Sequence, residues 1–325
     1  MIIGVDVSKS TLDICFKPSG LTMQIVNKPA GFKQWFARSK KILKADLQIL
    51  VVMEHTGQYS LMFESFLRSK SIGYCKIAAL QIKRSLGVIR GKNDKVDAQR
   101  IAEYGWLRRE ILTADKPPVE GIQRLKQLLS LRVKMVRDRS GYICRLKEMR
   151  ATCSDCKTDA IIIMQEKMIA ILTNHIKTLE KQINAVISSY SALEKTARLL
   201  KTIKGVGLIV AAHMIACTDN FKRFSTARKF NCYAGLAPFK YESGTSIKGR
   251  TRVSHLANKD IKTLLNLSAS CAIRCDNELK TYYKKRIAEG KKKMSCLNIV
   301  RSKIVARMFA VIKRESPYLV LTVAA

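Results

Sequence analysis

Two short, almost wholly apolar runs, residues 1–7 and 47–53, each deliver one carboxylate to the end of a buried strand: Asp6 in the first and Glu54 directly after the second. Runs this short and this apolar read as strands covered on both faces. A carboxylate in such a place is costly unless hydrogen bonds or a cation compensate it. Two further acids, Asp94 and Asp97, stand three apart at the start of a helical stretch and so project from one face. Four acids drawn from separate elements suit Mg²⁺, which prefers oxygen ligands, and two such ions can clamp a scissile phosphate. The plainer reading of Asp94 and Asp97, that they only charge a helix N-terminus, leaves Glu54 at a strand exit unexplained.

These acids sit in a strongly basic chain. The 325 residues carry 60 Lys and Arg against 25 Asp and Glu, a net charge of +35, and the excess is largest in the C-terminal part. Such a balance makes nucleic acid the leading partner, because phosphate contacts draw affinity from counterion release. A merely basic ribosome-like or membrane-surface protein is the alternative, and the patterning of the acids weighs against it. No run of about 18 apolar residues marks a membrane span. The chain opens directly into a strand with no basic leader, so no membrane partner and a cytoplasmic location are expected. The ten cysteines are dispersed and read as free thiols. Cys153 and Cys156 alone have Cys-x-x-Cys spacing, without a second pair to complete a zinc set.

Along the chain, residues 1–112 alternate strand and helix signals. Strands are expected at 1–7, 12–16, 23–26, 47–53 and 72–77, and helices at 32–43, 59–68 and 97–107, with Trp35, Phe36 and Ile42 turned inward. The order β-β-β-α-β-α-β-α predicts an α/β domain with a mixed sheet. Pro117-Pro118 marks a boundary. Apolar residues then recur at three and four, from Ile122 to Leu146 and from Ile162 to Tyr190. They predict two long helices over 113–195, either an ordinary helical hairpin or an antiparallel coiled coil that also joins subunits. The mainly helical remainder, 196–325, is expected to hold helices at 208–217, 225–233, 258–288 and 294–313, with a Gly- and hydroxyl-rich loop at 235–249.

Several residues near these features suit phosphate contact. Lys9, Lys92 and Lys95 adjoin the acids and either touch phosphate or offset carboxylate repulsion. His55 beside Glu54 fits a strand-end hydrogen bond better than a metal ligand. The stretch from Ile203 through Lys204, Gly205 and Gly207 to Leu208 has the form of a helix-hairpin-helix turn, in which glycines bring backbone N–H groups up to phosphate; a plain turn between packed helices is as good a reading. Ser243-Gly244, followed by Lys248, Arg250 and Arg252, is a serine backed by cations, an arrangement that serves nucleophilic attack on phosphorus but also occurs in ordinary turns.

Taken together, these motifs resemble one family. GVDVSK at 4–9, MEHTG at 53–57 and KNDKVDA at 92–98, then IKGVG at 203–207, GLAP at 235–238 and ESG at 242–244, are similar in order and spacing to the DEDD transposases of the Piv-invertase type, the bridge-RNA-guided insertion-sequence recombinases. The resemblance implies an RNase H-like (RuvC-like) N-terminal domain over 1–112, a coiled coil over 113–195 and a C-terminal transposase domain over 196–325. It places the family's four acids on Asp6, Glu54, Asp94 and Asp97, with Mg²⁺, and its catalytic serine on Ser243. It implies donor and target DNA and a structured non-coding guide RNA as partners, attack by Ser243 to leave a phosphoserine link, and a homo-oligomer, dimer or tetramer, whose subunits share acids and serine. The stretch after Ser243 differs among relatives, so the resemblance assigns no role to Arg250, Arg252 or His255. Rival readings are a metal-dependent junction-resolving nuclease, which needs the acids but not Ser243, and a non-catalytic nucleic-acid-binding protein. An actin-like kinase is disfavoured by the net charge and by the lack of a second Gly-rich phosphate motif.

Overall fold

A computed structural model describes residues 1–42, 49–55, 57–85, 94–116, 121–152 and 159–319, which divide into two compact units, Met1–Pro117 and Pro118–Ala325.

In the first unit, β1 (Ile2–Val7), β2 (Thr11–Lys17), β3 (Thr22–Val26), β4 (Leu50–Glu54) and β5 (Gly73–Ile77) build a mixed sheet of order β3-β2-β1-β4-β5. The first three form an antiparallel meander, while β4 runs parallel to β1 and β5 parallel to β4. The helices are α1 (Pro29–Ile42), α2 (Leu61–Ser69), α3 (Ala79–Ser85) and α4 (Asp94–Leu107). Alternation along the strands sorts the side chains to two faces. Ile3, Val5 and Val7 join Leu12, Ile14 and Phe16 against Phe32 and Trp35 of α1 and Phe63 and Leu67 of α2. On the other face Ile2, Val52 and Cys75 meet Ile101 and Tyr104 of α4, and Cys15 meets Ala98 and Ala102. Covering both faces removes the polar alternation of a half-exposed strand, which is why β1 and β4 read as continuous apolar runs. Gly4 sets how close α4 comes: a Cβ there would lie 2.3 Å from the Ala102 nitrogen and 2.6 Å from the Ala98 carbonyl oxygen.

The second unit contains α5 (Ile122–Thr152), α6 (Ala160–Ser188), α7 (Ser191–Lys201), α8 (Leu208–Thr218), α9 (Ala227–Tyr233), β6 (Pro238–Ser243), β7 (Ile247–Val253), α10 (Lys259–Cys275), α11 (Asn277–Ala288) and α12 (Lys293–Arg314). Cross-contacts fix α5 and α6 as an antiparallel hairpin. Arg132 pairs with Glu180 at 2.7 Å, Arg139 donates to Thr173 at 3.3 Å, and Gln165 lies 2.7 Å from the Met149 sulfur. The base of this hairpin, with Ile122, Leu125 and Leu129 facing Ile183 and Ile187, runs into a core shared with α7, α8, α10 and α12. Midway along it, Ile143, Ile169 and Leu172 are only half-buried, whereas Leu146 and Ile162 nearer the tip are buried.

Three sequence expectations change. The stretch 235–249 is not a loop throughout: Pro238–Ser243 pairs antiparallel with Ile247–Val253, and Gly244, at φ 55°, opens the turn. Phe239 and Tyr241 supply the β-forming side chains that composition alone concealed among hydroxyls and glycines. The expected helix 258–288 breaks at Asp276, whose extended backbone ends α10 and whose carboxylate accepts from the Leu279 N–H at 3.1 Å to cap α11. Asp94 rather than Asp97 begins α4, and α3 and α7 are added. Of the residues expected to face inward on α1, Trp35 is buried and Phe36 half-buried; the Ile42 side chain lies outside the described set. No described helix is long and apolar enough to cross a membrane.

Candidate active site

The acid site begins with strand register. The parallel pairing of β1 with β4 runs from Ile2 with Leu50 to Val5 with Met53. The next step sets Asp6 beside Glu54. Both follow the parity of Gly4 and Val52 and therefore face α4. Both are half-buried. Along α4, Gly105 lies over Ile2 and Val52, while Ala98 and Ala102 lie over Gly4. The helix therefore runs antiparallel to β1, and its first turn, residues 94–97, points to the strand end that holds Asp6. Three elements so bring Asp6, Glu54 and the first turn of α4, which carries Asp97, to one end of the sheet.

The side chains are less uniform than the backbones. Asp97 is half-buried and pairs with Arg100 at 2.7 Å, one turn along α4. The side chains of Asp94 and Lys95 lie outside the described set, as does Lys92 altogether. Among the described residues, no three His, Cys, Asp or Glu side chains already converge as a ligand shell. The donor chemistry still suits a hard divalent ion. The thiols on this face, Cys15 and Cys75, are pushed up by burial, Cys75 to about 12, and remain protonated packing groups. The available donors are carboxylate oxygens, the set that Mg²⁺ prefers. Lys9 is exposed in the β1–β2 turn, which Ser8 pins by donating to the Thr11 carbonyl and accepting from the Thr11 N–H, each at 2.9 Å. The His55 N–H donates to the Ile77 carbonyl at 3.1 Å, tying β4 to the end of β5, and its side chain is exposed.

One acid escaped the sequence reading. Asp13 stands directly opposite Asp6 in the β1–β2 ladder and opposite Gln24 in the β2–β3 ladder. Directly paired residues share a face, so Asp13 also looks towards α4. It is 3% exposed, and the Gln24 amide donates to both its oxygens at 3.1 and 3.2 Å. The signal was present: Asp13 interrupts Leu12-Asp13-Ile14 just as Asp6 interrupts Val5-Asp6-Val7.

In the second unit, Ser243 closes β6 opposite Ile247, at the exposed tip of the hairpin, and Glu242 faces Lys248. A cavity of about 740 Å³ opens along this ribbon between Phe239, Tyr241, Arg250, Arg252 and Leu256. Exposed aromatics interleaved with guanidinium groups suit the bases and phosphates of a nucleic acid. The 203–207 turn joins α7 to α8. Gly205, at φ 88°, leaves no room for a Cβ, which would meet the Ser268 carbonyl at 2.6 Å, so packing on α10 accounts for that glycine. Gly207 faces open space at the start of α8, with exposed Lys204 nearby in the turn.

Comparison with known proteins gives two family matches in chain order. Residues 3–150 match a DEDD transposase model, and residues 197–284 match one described as the transposase IS116/IS110/IS902 family. The chain is 25% identical over 322 residues to the pilin gene-inverting protein of Moraxella bovis, an alignment that covers 97% of each chain. It is 31% identical over 142 residues to an insertion element IS110 protein of Streptomyces coelicolor, covering 44% of this chain and 34% of that one. It is 23% identical over 310 residues to the transposase for insertion sequence element IS1328 of Yersinia enterocolitica, covering 89% and 87%.

Proposed function

The chain belongs to the IS110-type DEDD transposases, and on that premise we propose that it is a site-specific DNA recombinase in which the N-terminal acids and Ser243 together break and rejoin strands. The observation that carries this reading is the register that sets Asp6 beside Glu54 with the first turn of α4 running towards them. The full-length likeness to a pilin gene-inverting protein, a DNA rearrangement by its name, supports the reaction class.

Asp6, Glu54, Asp94 and Asp97 would hold the divalent ion, Mg²⁺ in this reading. When bound, it neutralises charge at the scissile phosphate and polarises it towards attack. The carboxylates by themselves repel a phosphate and would set its position only through the ion they hold. The Ser243 oxygen attacks phosphorus and forms an Oγ–P bond as one backbone P–O bond breaks, its proton leaving with the departing strand as a hydroxyl. Attack by the hydroxyl of a second strand restores the serine and completes the exchange. Lys9, Lys92 and Lys95 near the acids, Lys204 and Gly207 at the head of α8, and Lys248, Arg250 and Arg252 beside Ser243 are the phosphate contacts in this reading, with Gly205 shaping the turn by its packing on α10. The exposed hairpin tip suits a nucleophile that must reach a strand held by another surface. A structured guide RNA, and a dimer or tetramer joined through α5 and α6 as a coiled coil, complete the proposal; the half-buried Ile143, Ile169 and Leu172 midway along the hairpin support the second.

The test is a strand-exchange assay with supercoiled donor and target DNA, run with Asp6→Asn, Glu54→Gln and Ser243→Ala. Each substitution is expected to abolish exchange while DNA binding survives. A covalent protein–DNA adduct, seen on denaturing gels, should vanish in Ser243→Ala. If Ser243→Ala still cuts DNA at the normal rate, water is the nucleophile and the chain is a metal-dependent nuclease instead.

A further inference from the structure

A second cavity, of about 620 Å³, lies wholly within the second unit, between α5, α8, α9 and the start of α10. Its rim is cationic: Lys126, Lys134, Arg137 and Arg223 line it, against the carboxylates of Asp138 and Asp260. Arg137 pairs with Asp260, and Lys134 with Asp138 at 3.2 Å, both as exposed pairs at the cavity rim. Arg223 is held differently. Its guanidinium lies over the rings of Phe224 and Tyr233, 5.3 and 5.2 Å from their centroids. That contact fixes one face of the guanidinium plane against the protein.

His213 lines the cavity from α8, a helix buried on nearly every side. It is 7% exposed, and among the described residues its Nε2 finds no hydrogen-bond partner. That nitrogen is itself closed off from solvent and bears its desolvation cost inside the core; what the cavity meets is the ring edge that lines it. Burial also keeps the ring neutral near pH 7, so it offers one donor and one acceptor. A bare phosphate could use only the donor of a neutral imidazole and would leave its acceptor unanswered. A nucleobase has polar edges for the imidazole and a π-face for an arginine plane, and its phosphate suits the lysine rim.

We propose that this cavity takes one unpaired nucleotide of a bound nucleic-acid strand, its base edge on His213, its face against Arg223 and its phosphate at Lys126 and Lys134. A paired base would first have to leave its stack, at an added cost, so the occupant is a nucleotide that is already single-stranded. This rests on the nucleic-acid reading above but is separate from the acids and from Ser243.

The test measures binding of the full-length chain to a fluorescent single strand and to its duplex, for wild type, His213→Leu and Ser130→Trp. Ser130 is an exposed residue at the cavity wall, so a tryptophan there blocks the mouth without touching the core. Single-strand affinity is expected to fall about tenfold in both variants, with duplex affinity unchanged. A 2-aminopurine in the strand should report a change of stacking on binding to wild type only. The proposal is overturned if Ser130→Trp, melting as wild type does, binds the single strand equally well. It is also overturned if free mononucleotide occupies the cavity while the single strand does not sense the substitutions. Failure of wild type to bind either strand at any salt would instead sink the nucleic-acid reading itself.

Discussion

Two carboxylates directly opposite in an antiparallel ladder repel each other, by roughly 0.2–1 kcal/mol where solvent can screen them. Asp6 and Asp13 are such a pair, and Asp13 is nearly inaccessible with a neutral amide as its partner. A cation near this end of the sheet would relieve both. Asp13→Asn should therefore keep or raise the melting temperature without metal and shrink the rise that millimolar Mg²⁺ produces. Scanning calorimetry with and without MgCl₂ checks this, and an undiminished rise would show that Asp13 takes no part. His213 gives a pH signature of its own. Burial, helped by nearby Arg132 and opposed by Asp260, lowers its pKa from 6.5 to about 4. The unfolded chain therefore takes up a proton between those values while the folded chain does not. Stability is fully present above pH 6.5 and falls as pH drops towards 4, by about 3 kcal/mol. Urea midpoints across that range should slope for wild type and flatten for His213→Leu. Asp6 and Glu54 were legible because a charge at the end of an apolar run is conspicuous; Asp13 carried the same signature one strand later. His213 was not legible, since only tertiary packing reveals that α8 is covered all round.

Elements carry the site through their close approach. Gly4 has no unusual backbone need; what it supplies is absence of a side chain where α4 crosses β1. Because the atoms a Cβ would meet are helix backbone, at 2.3 and 2.6 Å, they cannot rotate away. Gly4→Ala should cost about 1–3 kcal/mol and shift the helix that bears Asp94 and Asp97. The expected result is a lower unfolding midpoint together with weakened Mg²⁺ binding; loss of stability with metal affinity intact would separate α4 from the acid site. The succession of strands and helices in the first unit was readable from periodicity, because its strands are short and bounded by turn residues. The β6–β7 ribbon was not, since its strands are largely exposed and lack the alternation that burial imposes. The break between α10 and α11 was likewise hidden. Asp276 is an ordinary residue in a helical pattern until Arg307 of α12 pairs with it at 2.7 Å and its carboxylate turns to cap the next helix. Removing that carboxylate leaves a nearly buried guanidinium with the exposed Glu278 carboxylate and the Tyr318 ring as its partners.

For the whole molecule, the decisive quantity is a charge of +35 spread over two units of unlike fold. An excess this large opposes compaction by self-repulsion and is sustained where a polyanion is bound. Among the described residues, several ion pairs are exposed ones of small individual worth. Exposed cations of this kind can replace counterions on phosphate. Binding of a DNA duplex should therefore weaken by about 10³–10⁵ between 50 and 200 mM salt if six to ten phosphates are contacted. Anisotropy titrations at several salt concentrations give the slope directly. Arg250→Ala and Arg252→Ala should each lower that slope by about one contact and weaken unrelated sequences alike, because phosphate contacts carry no base information. The same substitutions should leave thermal stability unchanged, since both side chains are exposed on the ribbon. A slope near zero in wild type would mean that the charge serves something other than phosphate. A normal slope that neither arginine alters would move the strand away from the β6–β7 ribbon, and with it the case for Ser243 as the attacking group.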